Sequence, residues 1–132
     1  MIRYLLDTDT CIPYMRGVSG VRDQLEEVGF DQCALSVITL AELKFGAENS
    51  SHPELRRTET EIFCRPLAVL SLNDALDIYA REKTRLRRLG QPVAEFDLLI
   101  GSTAIHYDLV LVTNNVKHFE RMQNLTIENW TK

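Results

Sequence analysis

Four acidic side chains stand at places in the sequence where a parallel sheet would gather them. They are Asp7 and Asp9 after an N-terminal apolar run, Glu42 one turn into the helix expected after the second strand, and Asp97 at the start of a later helix. Two like charges about 5 Å apart repel by roughly 3 kcal/mol at an effective dielectric of ~20, so converging carboxylates must raise their pKa values or bind a cation. Oxygen-rich clusters suit Mg²⁺ or Mn²⁺, and the chemistry that they favour is metal-assisted hydrolysis of a phosphodiester bond.

Two of these acids also have an ordinary structural interpretation. Residues 39–42 (TLAE) have the pattern of a capping box, in which Glu42 would bond back to the start of its own helix. Asp97 would stabilise a helix N-terminus electrostatically. Both interpretations stay open beside the catalytic one.

A structural role explains Asp9 better than it explains Asp7. Asp9 is the expected N-cap of the first helix, because that start places Pro13 at the fourth helical position, whose N–H has no helical partner anyway. Asp7 is harder to explain, because an acid directly after an apolar strand is costly to bury unless a group pairs with it.

The elements that would position these residues alternate between short apolar strands and helices. We predict strands at residues 2–6, 33–38, 67–72, 109–112 and near 126–127, and helices from Asp9 and over 21–28, 39–49, 53–63, 73–89, 96–107 and 117–122, with Asn73 as a cap and Gly90 as a stop. The strands lack polar alternation, which is typical of a parallel sheet covered by helices on both faces. The prediction is one α/β domain over residues 1–132, with functional residues beyond the carboxyl ends of the strands.

Composition excludes several other classes of protein. A chain of 132 residues with 45% hydrophobic and 26% charged side chains has enough apolar content for one packed domain and is unlike a disordered chain. The longest uncharged stretch, 98–107, is too short to span a bilayer, and Asp7 and Asp9 interrupt any secretory signal. The three cysteines and three histidines have no disulfide or metal-binding spacing. We therefore expect a soluble, cytoplasmic protein.

Four segments carry a family resemblance in the right order and spacing. They are residues 6–9 (LDTD), 36–43 (SVITLAEL), 96–100 (FDLLI) and 111–115 (LVTNN) with Phe119 following, and residues 128–130 (ENW) match the usual ending. Together they resemble the PIN-domain ribonucleases, specifically the VapC toxins of bacterial type II toxin–antitoxin pairs. The resemblance spans essentially the whole chain. It implies a three-layer α/β/α PIN-like domain with a mostly parallel central sheet, and a metal-dependent endoribonuclease that hydrolyses RNA and inhibits translation.

The resemblance also assigns the catalytic residues by position. Asp7, Glu42 and Asp97 match the acidic residues that hold Mg²⁺, for which Mn²⁺ can substitute, and Asn115 occupies a fourth catalytic position. A neutral amide at Asn115 lowers the charge of the site. It is therefore better suited to orienting a water or a carboxylate than to holding a second ion.

Three neighbouring residues match supporting positions of the family. Thr8 and Thr113 resemble its hydroxyl-bearing residues, which would orient the metal ligands. Asp9 departs from the family, which usually has Asn at this position. Asp9 therefore either adds a carboxylate near the metal or caps the first helix.

A basic run over residues 81–88 is the predicted RNA contact. It holds five positive charges and one negative, and Arg81, Arg85 and Arg88 align on one helix face and could follow a phosphate backbone. The alternative is a solvated face with pairs such as Asp77 with Arg81. We favour RNA contact, because a nuclease with a formal net charge of −4 must attract its polyanion through a local basic surface.

The resemblance further implies partners. These are a second copy in a homodimer, a VapB-type antitoxin whose C-terminal segment blocks the active site, and a structured RNA, with initiator tRNA as the target of some relatives. Operator DNA would be contacted only through the antitoxin complex, and no membrane partner is expected.

Two alternatives from other classes stay open. A receiver-like signalling domain also combines a parallel sheet with acids after the first strand and a Thr near a Lys, here Thr113 and Lys117. It would need an adjacent acidic pair and a phosphorylatable Asp that ends a central strand, which the sequence does not supply. A catalytically silent PIN-like binding module is the other alternative.

Overall fold

The centre of the fold is a sheet of five short strands, seen in a computed structural model that describes residues 1–131. The strands are β1 (Tyr4–Leu6), β2 (Cys33–Ser36), β3 (Ala68–Leu70), β4 (Val110–Val112) and β5 (Thr126–Glu128). They lie in the order β3-β2-β1-β4-β5, and every neighbouring pair is parallel. The predicted parallel sheet is confirmed, and its order places β1 between β2 and β4.

Helices make every connection between consecutive strands, as parallel pairing requires. In the described chain they are α1 (Thr8–Met15), α2 (Ser19–Val28), α3 (Val37–Glu48), α4 (Pro53–Cys64), α5 (Leu76–Arg88), α6 (Glu95–His106) and α7 (Val116–Phe119). Short 3₁₀ turns over Phe30–Gln32 and Asn73–Ala75 precede β2 and α5.

The two faces of the sheet carry separate apolar cores, because successive strand residues point to opposite sides. Tyr4 and Leu6 of β1 belong to a cluster with residues of α1 to α4, among them Cys11, Val21, Leu25, Leu43 and Phe63. Leu5 belongs to a second cluster with residues of α5 to α7, among them Leu86, Ile100 and Phe119. The predicted three-layer α/β/α arrangement is therefore confirmed. Edge strand β3 is less covered, and Val69 is 43% exposed.

Helix α1 begins earlier than predicted. Asp7 is its N-cap: the Asp7 backbone is extended, and Asp7 Oδ1 accepts a hydrogen bond from Thr8 N at 2.8 Å. Asp9 was therefore the wrong choice of cap, and Pro13 lies inside the helix, where it cannot donate to the Asp9 carbonyl. The prediction gave too much weight to that single lost bond. A cap that directly follows a buried strand satisfies the helix N-terminus and keeps the turn short.

Helix α3 also begins early, which changes the role of Glu42. The last residue of β2, Ser36, is the N-cap, and its Oγ accepts from Thr39 N at 3.0 Å. The predicted capping box at 39–42 is therefore wrong. Because Ser36 already supplies the cap, Glu42 lies in the second turn, and its carboxylate is free for contacts outside α3.

Helix α5 begins later than predicted, because a 3₁₀ turn precedes it. The 3₁₀ turn over Asn73–Ala75 precedes it, and its N-cap, Ala75, makes no side-chain hydrogen bond, so the prediction of Asn73 as cap is wrong. A 3₁₀ turn winds more tightly than an α-helix and shifts the side chains that follow it. Leu76, the first residue of α5, is 46% exposed. Gly90 follows the end of the helix with φ +69°, as predicted for a stop signal.

The cysteines agree with the sequence analysis. Cys11 and Cys33 are buried free thiols, and Cys64 is a partly buried one. Over residues 1–131, no helix combines the length and the apolar character needed to cross a membrane.

Candidate active site

The carboxyl ends of β1, β2 and β4 lie side by side at one edge of the sheet. Asp7 follows β1, Thr113 follows β4, and α3 with Glu42 follows β2 directly. The backbone continues the pairing past the strands, since Asp7 N donates to Val112 O at 2.9 Å. Residues far apart in sequence therefore meet at the edge where parallel α/β sheets place their ligand sites.

Asp7 is a buried carboxyl group with two fixed oxygens. Oδ1 accepts from Thr8 N at 2.8 Å, and Oδ2 accepts from Thr113 Oγ1 at 2.9 Å. Burial is the main cause that raises the pKa of Asp7 to about 7; the charges of Asp9 and Asp97 act in the same direction, and the two hydrogen bonds act against them. This side chain would gain most from a nearby cation.

Asp9, in α1, forms hydrogen bonds with the loop that follows β4. Its Oδ1 accepts from Asn114 N at 3.3 Å, and its two oxygens lie 3.2 and 3.3 Å from Thr113 Oγ1. A hydroxyl has one proton, so Asp7 and Asp9 share that of Thr113. Burial is also the main cause that raises the pKa of Asp9. Asp9 therefore supplies a carboxylate beside Asp7 and does not cap the helix.

Glu42 reaches this edge from α3. Its Oε1 accepts a hydrogen bond of 2.6 Å from Thr8 Oγ1, across 34 positions of sequence. Thr8 thus contacts two predicted site acids, Asp7 through its backbone N–H and Glu42 through its hydroxyl. Both Thr8 and Thr113 lie against carboxylates, where the sequence analysis expected supporting hydroxyl groups.

Asp97 and Asn115 meet at the other side of the site. Asn115 Nδ2 donates to Asp97 Oδ2 at 3.4 Å and also lies 3.1 Å from Nδ1 of His118. Burial raises the pKa of Asp97, the charges of Glu42 and Asp9 raise it further, and His118 lowers it. The sequence analysis did not single out His118, because the three histidines have no metal-binding spacing. Its spacing of three residues from Asn115 was the available signal.

Asp7, Asp9, Glu42 and Asp97 together form an acid cluster. Within residues 1–131, no Lys or Arg forms an ion pair with any of the four. In that same range, no three His, Cys, Asp or Glu side chains are placed to hold one metal ion together. Shared ligation by Asp7, Glu42 and Asp97 thus stays a prediction. The donor chemistry still fits Mg²⁺, which commonly takes one or two carboxylates and keeps several waters.

The predicted basic face of α5 divides into two kinds of arginine. Arg85 bonds both oxygens of the buried Glu82, at 3.0 and 2.8 Å, and donates to the carbonyl of Arg121 at 2.7 Å. Arg81 and Arg88 are exposed. In the described residues Arg81 forms no ion pair with Asp77, the pair that the alternative interpretation suggested.

Helix α5 packs beside the helix that carries Asp97, and its contact with the start of that helix lies on the face opposite Arg81, Arg85 and Arg88. Lys83 Nζ contacts both oxygens of Glu95, at 2.8 and 2.9 Å, and Glu95 is the first residue of α6. The contact fixes the second half of α5 beside the N-terminus of α6. The exposed arginines are therefore on a helix that packs against α6, but on its other face.

Comparison with known proteins agrees with this geometry. The family model for the PIN domain matches residues 4–125. Ribonuclease VapC2 of Rickettsia felis is 35% identical over 132 residues, which cover 98% of each chain. The tRNA(fMet)-specific endonuclease VapC of Salmonella typhimurium is 34% identical over 131 residues, 98% of this chain and 99% of that protein. A crystal structure of DNA-bound VapBC from Salmonella typhimurium contains a chain that aligns with a TM-score of 0.92 at 35% identity, covering 98% of this chain and 99% of that one.

With this fold and this match over residues 4–125, the chain belongs to the PIN domain family. Within that family it is a VapC ribonuclease toxin of the VapBC toxin–antitoxin type, as full-length identities near 35% show. The predicted resemblance is confirmed. The match also favours this class over the receiver-like alternative.

Proposed function

We propose that this VapC protein is a divalent-metal-dependent endoribonuclease that hydrolyses phosphodiester bonds in structured RNA and thereby inhibits translation. The observation that carries the proposal is the acid cluster at the carboxyl ends of parallel strands. It includes the buried carboxyl group of Asp7, and it has no Lys or Arg ion-pair partner in residues 1–131. Uncompensated carboxylates favour a bound cation, and a cation held there would attract a phosphate group.

Asp7, Glu42 and Asp97 are the proposed holders of Mg²⁺, with Mn²⁺ as a substitute. When bound, such an ion supplies a Lewis acid that polarises a phosphoryl oxygen and acidifies a water molecule. The threonines fix two of the carboxylates: Thr113 and the Thr8 N–H hold Asp7, and the Thr8 hydroxyl holds Glu42. Glu42 or Asp97 then accepts the proton of the attacking water.

Asn115 has a different proposed part in the reaction. Its amide donates to Asp97 and carries no charge, so it orients that carboxylate without adding to the repulsion inside the cluster. Asp9 supports the same region by holding Asn114 N. We keep both residues as site residues, Asn115 as a catalytic one and Asp9 as a support.

RNA is the proposed substrate, with initiator tRNA as the first to test because the Salmonella relative is named a tRNA(fMet)-specific endonuclease. Arg81, Arg85 and Arg88 are the proposed phosphate contacts. Arg81 and Arg88 are exposed and would make most of these contacts. Arg85 already donates hydrogen bonds to Glu82 and to the Arg121 carbonyl.

A VapB-type antitoxin is the proposed protein partner, in line with the solved VapBC complex from Salmonella. A groove between α1, α3 and α4 leads from Glu42 along apolar residues that include Ile12, Met15 and Leu43. It suits an apolar antitoxin segment with a basic side chain at the acid cluster. The Salmonella complex is bound to DNA. Operator DNA would be contacted here through the antitoxin alone.

Two further proposals concern the state of the protein. A homodimer is supported by large apolar side chains left exposed on α3 and α6, of which Phe45 is 69% and Phe96 50% exposed. A cytoplasmic location stays a prediction from the sequence.

The test is cleavage of purified initiator tRNA and of unrelated RNAs in EDTA, Mg²⁺ or Mn²⁺. Cleavage is expected only with a divalent ion, and Asp7→Asn or Asp97→Asn should abolish it while Asp23→Asn, an exposed acid on α2, leaves it unchanged. Cleavage that persists in EDTA would refute the metal requirement. Absence of cleavage in every RNA and metal would favour the catalytically silent binding module. Sequencing of RNA ends after brief expression identifies the target.

A further inference from the structure

Asn115 and His118 form a side-chain pair at the edge of the acid cluster. Asn115 Nδ2 lies 3.4 Å from Asp97 Oδ2 and 3.1 Å from His118 Nδ1. Asn115 is the N-cap of α7 and His118 lies within that helix, three residues further on. His118 is exposed and Asn115 is half-buried, so the pair lies where the cluster opens to solvent.

With Asp97 ionised and His118 in its neutral form, the three partners leave one arrangement of hydrogen atoms. An ionised carboxylate accepts only, so Asn115 must turn its NH₂ group toward Asp97. The second N–H of that group then faces His118 Nδ1, which must offer a lone pair and carry its ring proton on Nε2. Both donors of the amide are thereby used. The carbonyl Oδ1 of Asn115 is on the other branch of the amide and accepts no bond from the described residues.

We propose that His118 is a positioning residue for the RNA cleavage proposed above, on which this inference rests. His118 Nδ1 holds the Asn115 amide with its NH₂ group on Asp97 and its carbonyl oxygen free to accept from a water molecule in the site. Without this second bond, only the long contact to Asp97 restrains the amide, and rotation about the last side-chain torsion is soft. The amide then spends part of its time with the carbonyl oxygen toward Asp97, where two acceptors repel.

The kinetic test distinguishes the effect of the His118 Nδ1 acceptor from the effect of the aromatic ring. His118→Phe keeps an aromatic ring and removes the acceptor, and it should lower kcat about tenfold, the effect of one lost hydrogen bond, with KM for RNA little changed. His118→Asn places an amide oxygen near the position of Nδ1 and should restore most of kcat. Glu120→Gln, an exposed change next to α7, is the matched control and should behave as the unmodified protein.

The Asn115→Ala background shows whether His118 acts through Asn115. In that background His118→Phe should change kcat no further, because the group that His118 holds is gone. A tenfold effect of His118→Phe that persists with Asn115→Ala would overturn the proposal. An unchanged kcat for His118→Phe in the otherwise unmodified protein would do the same.

A spectroscopic readout is independent of RNA. In the ¹⁵N spectrum of the full chain without substrate, the side-chain NH₂ resonances of Asn115 are identified by their loss in Asn115→Ala. In His118→Phe these resonances should change position, and their protons should exchange faster with solvent. In His118→Asn both the positions and the exchange rate should return to those of the unmodified protein. Unaltered resonances in His118→Phe would contradict the positioning role. If the unmodified protein cleaves no RNA, the proposed function fails, and these resonances still decide whether His118 holds the amide.

Discussion

Thr113 Oγ1 donates a hydrogen bond of 2.9 Å to Asp7 Oδ2, although 106 positions separate the two residues in sequence. The same oxygen accepts from Asn115 N at 3.0 Å. Thr113 has no exposed surface, so both bonds are shielded from water. One buried hydroxyl therefore joins the end of β1 to the loop that carries Asn115, and the site depends on it at two places.

Replacing Thr113 by Val tests this joint, because Val keeps the shape of the side chain and removes the hydroxyl. We expect the free energy of unfolding to fall by about 1–3 kcal/mol, since Asp7 and Asn115 N each lose a buried partner. Urea unfolding measures it, with Thr113→Ser, which keeps the hydroxyl, as the control. Equal stability of the Val and unmodified proteins would contradict the role given to this hydroxyl.

The pKa of Asp7 predicts how stability without metal depends on pH. Its pKa is about 7 in the folded protein against an ordinary value of 3.8, so between these pH values the folded state binds more protons than the unfolded state. The contribution of Asp7 to stability must therefore fall as pH rises from about 4 to 7. Asp7→Asn removes this penalty and should gain stability relative to the unmodified protein across that range, by at most about 4 kcal/mol at pH 8.

Denaturant unfolding in EDTA at pH 4.5 and pH 8 measures this difference. Asp23→Asn is the matched control, because Asp23 is an exposed acid away from the cluster. A difference between Asp7→Asn and the unmodified protein that is the same at both pH values would show that burial of this carboxyl group carries no penalty.

A divalent cation should reverse that penalty. A ligand that binds only the folded state stabilises it by about 2.7 kcal/mol at a hundred times its dissociation constant. Mn²⁺ or Mg²⁺ should therefore raise the melting temperature of the unmodified protein at pH 8, and much less that of Asp7→Asn or Asp97→Asn. The measurement is thermal unfolding across a metal titration, with Asp23→Asn again as control. An equal rise of the melting temperature in all four proteins would show that the cation binds outside the acid cluster.

The architecture followed from the sequence because it depends on regular features. Apolar runs without polar alternation, separated by helix-length segments, can bury both faces only in a parallel sheet with helices on either side. The element boundaries were less predictable. At Asp7 and Ser36 the strand passes straight into a helix, and the residue that ends the strand is also the cap. Sequence patterns alone do not show where pairing stops.

The acids and the two supporting threonines lie in one region, as predicted, and their roles in metal binding and catalysis stay a prediction. Asp7, Glu42 and Asp97 come to one region, as strand order requires. The contact between Asn115 and His118 depends on the path of the short helix α7, and the pairing of Arg85 depends on the loop that brings Arg121 and Gln123 to α5. The three-residue spacings of Asn115 from His118 and of Glu82 from Arg85 were local signals, whereas the contacts with Arg121 and Gln123 are set by tertiary packing, for which local sequence carries none.

The pairing of Arg85 with Glu82 separates two kinds of arginine on α5, and this gives the last prediction. Arg85→Ala leaves the buried Glu82 with one partner, Gln123 N at 3.1 Å, and should lower the free energy of unfolding by about 1–2 kcal/mol. Arg81→Ala with Arg88→Ala should leave stability unchanged and weaken RNA cleavage, with the slope of log kcat/KM against log salt reduced by about one to two. Arg65→Ala, at an exposed arginine at the end of α4, gives the effect of removing one positive charge elsewhere on the surface. If the Arg81 and Arg88 double variant keeps the salt slope of the unmodified protein, this face does not contact the RNA, and its arginines are solvated charges on a helix that serves only packing.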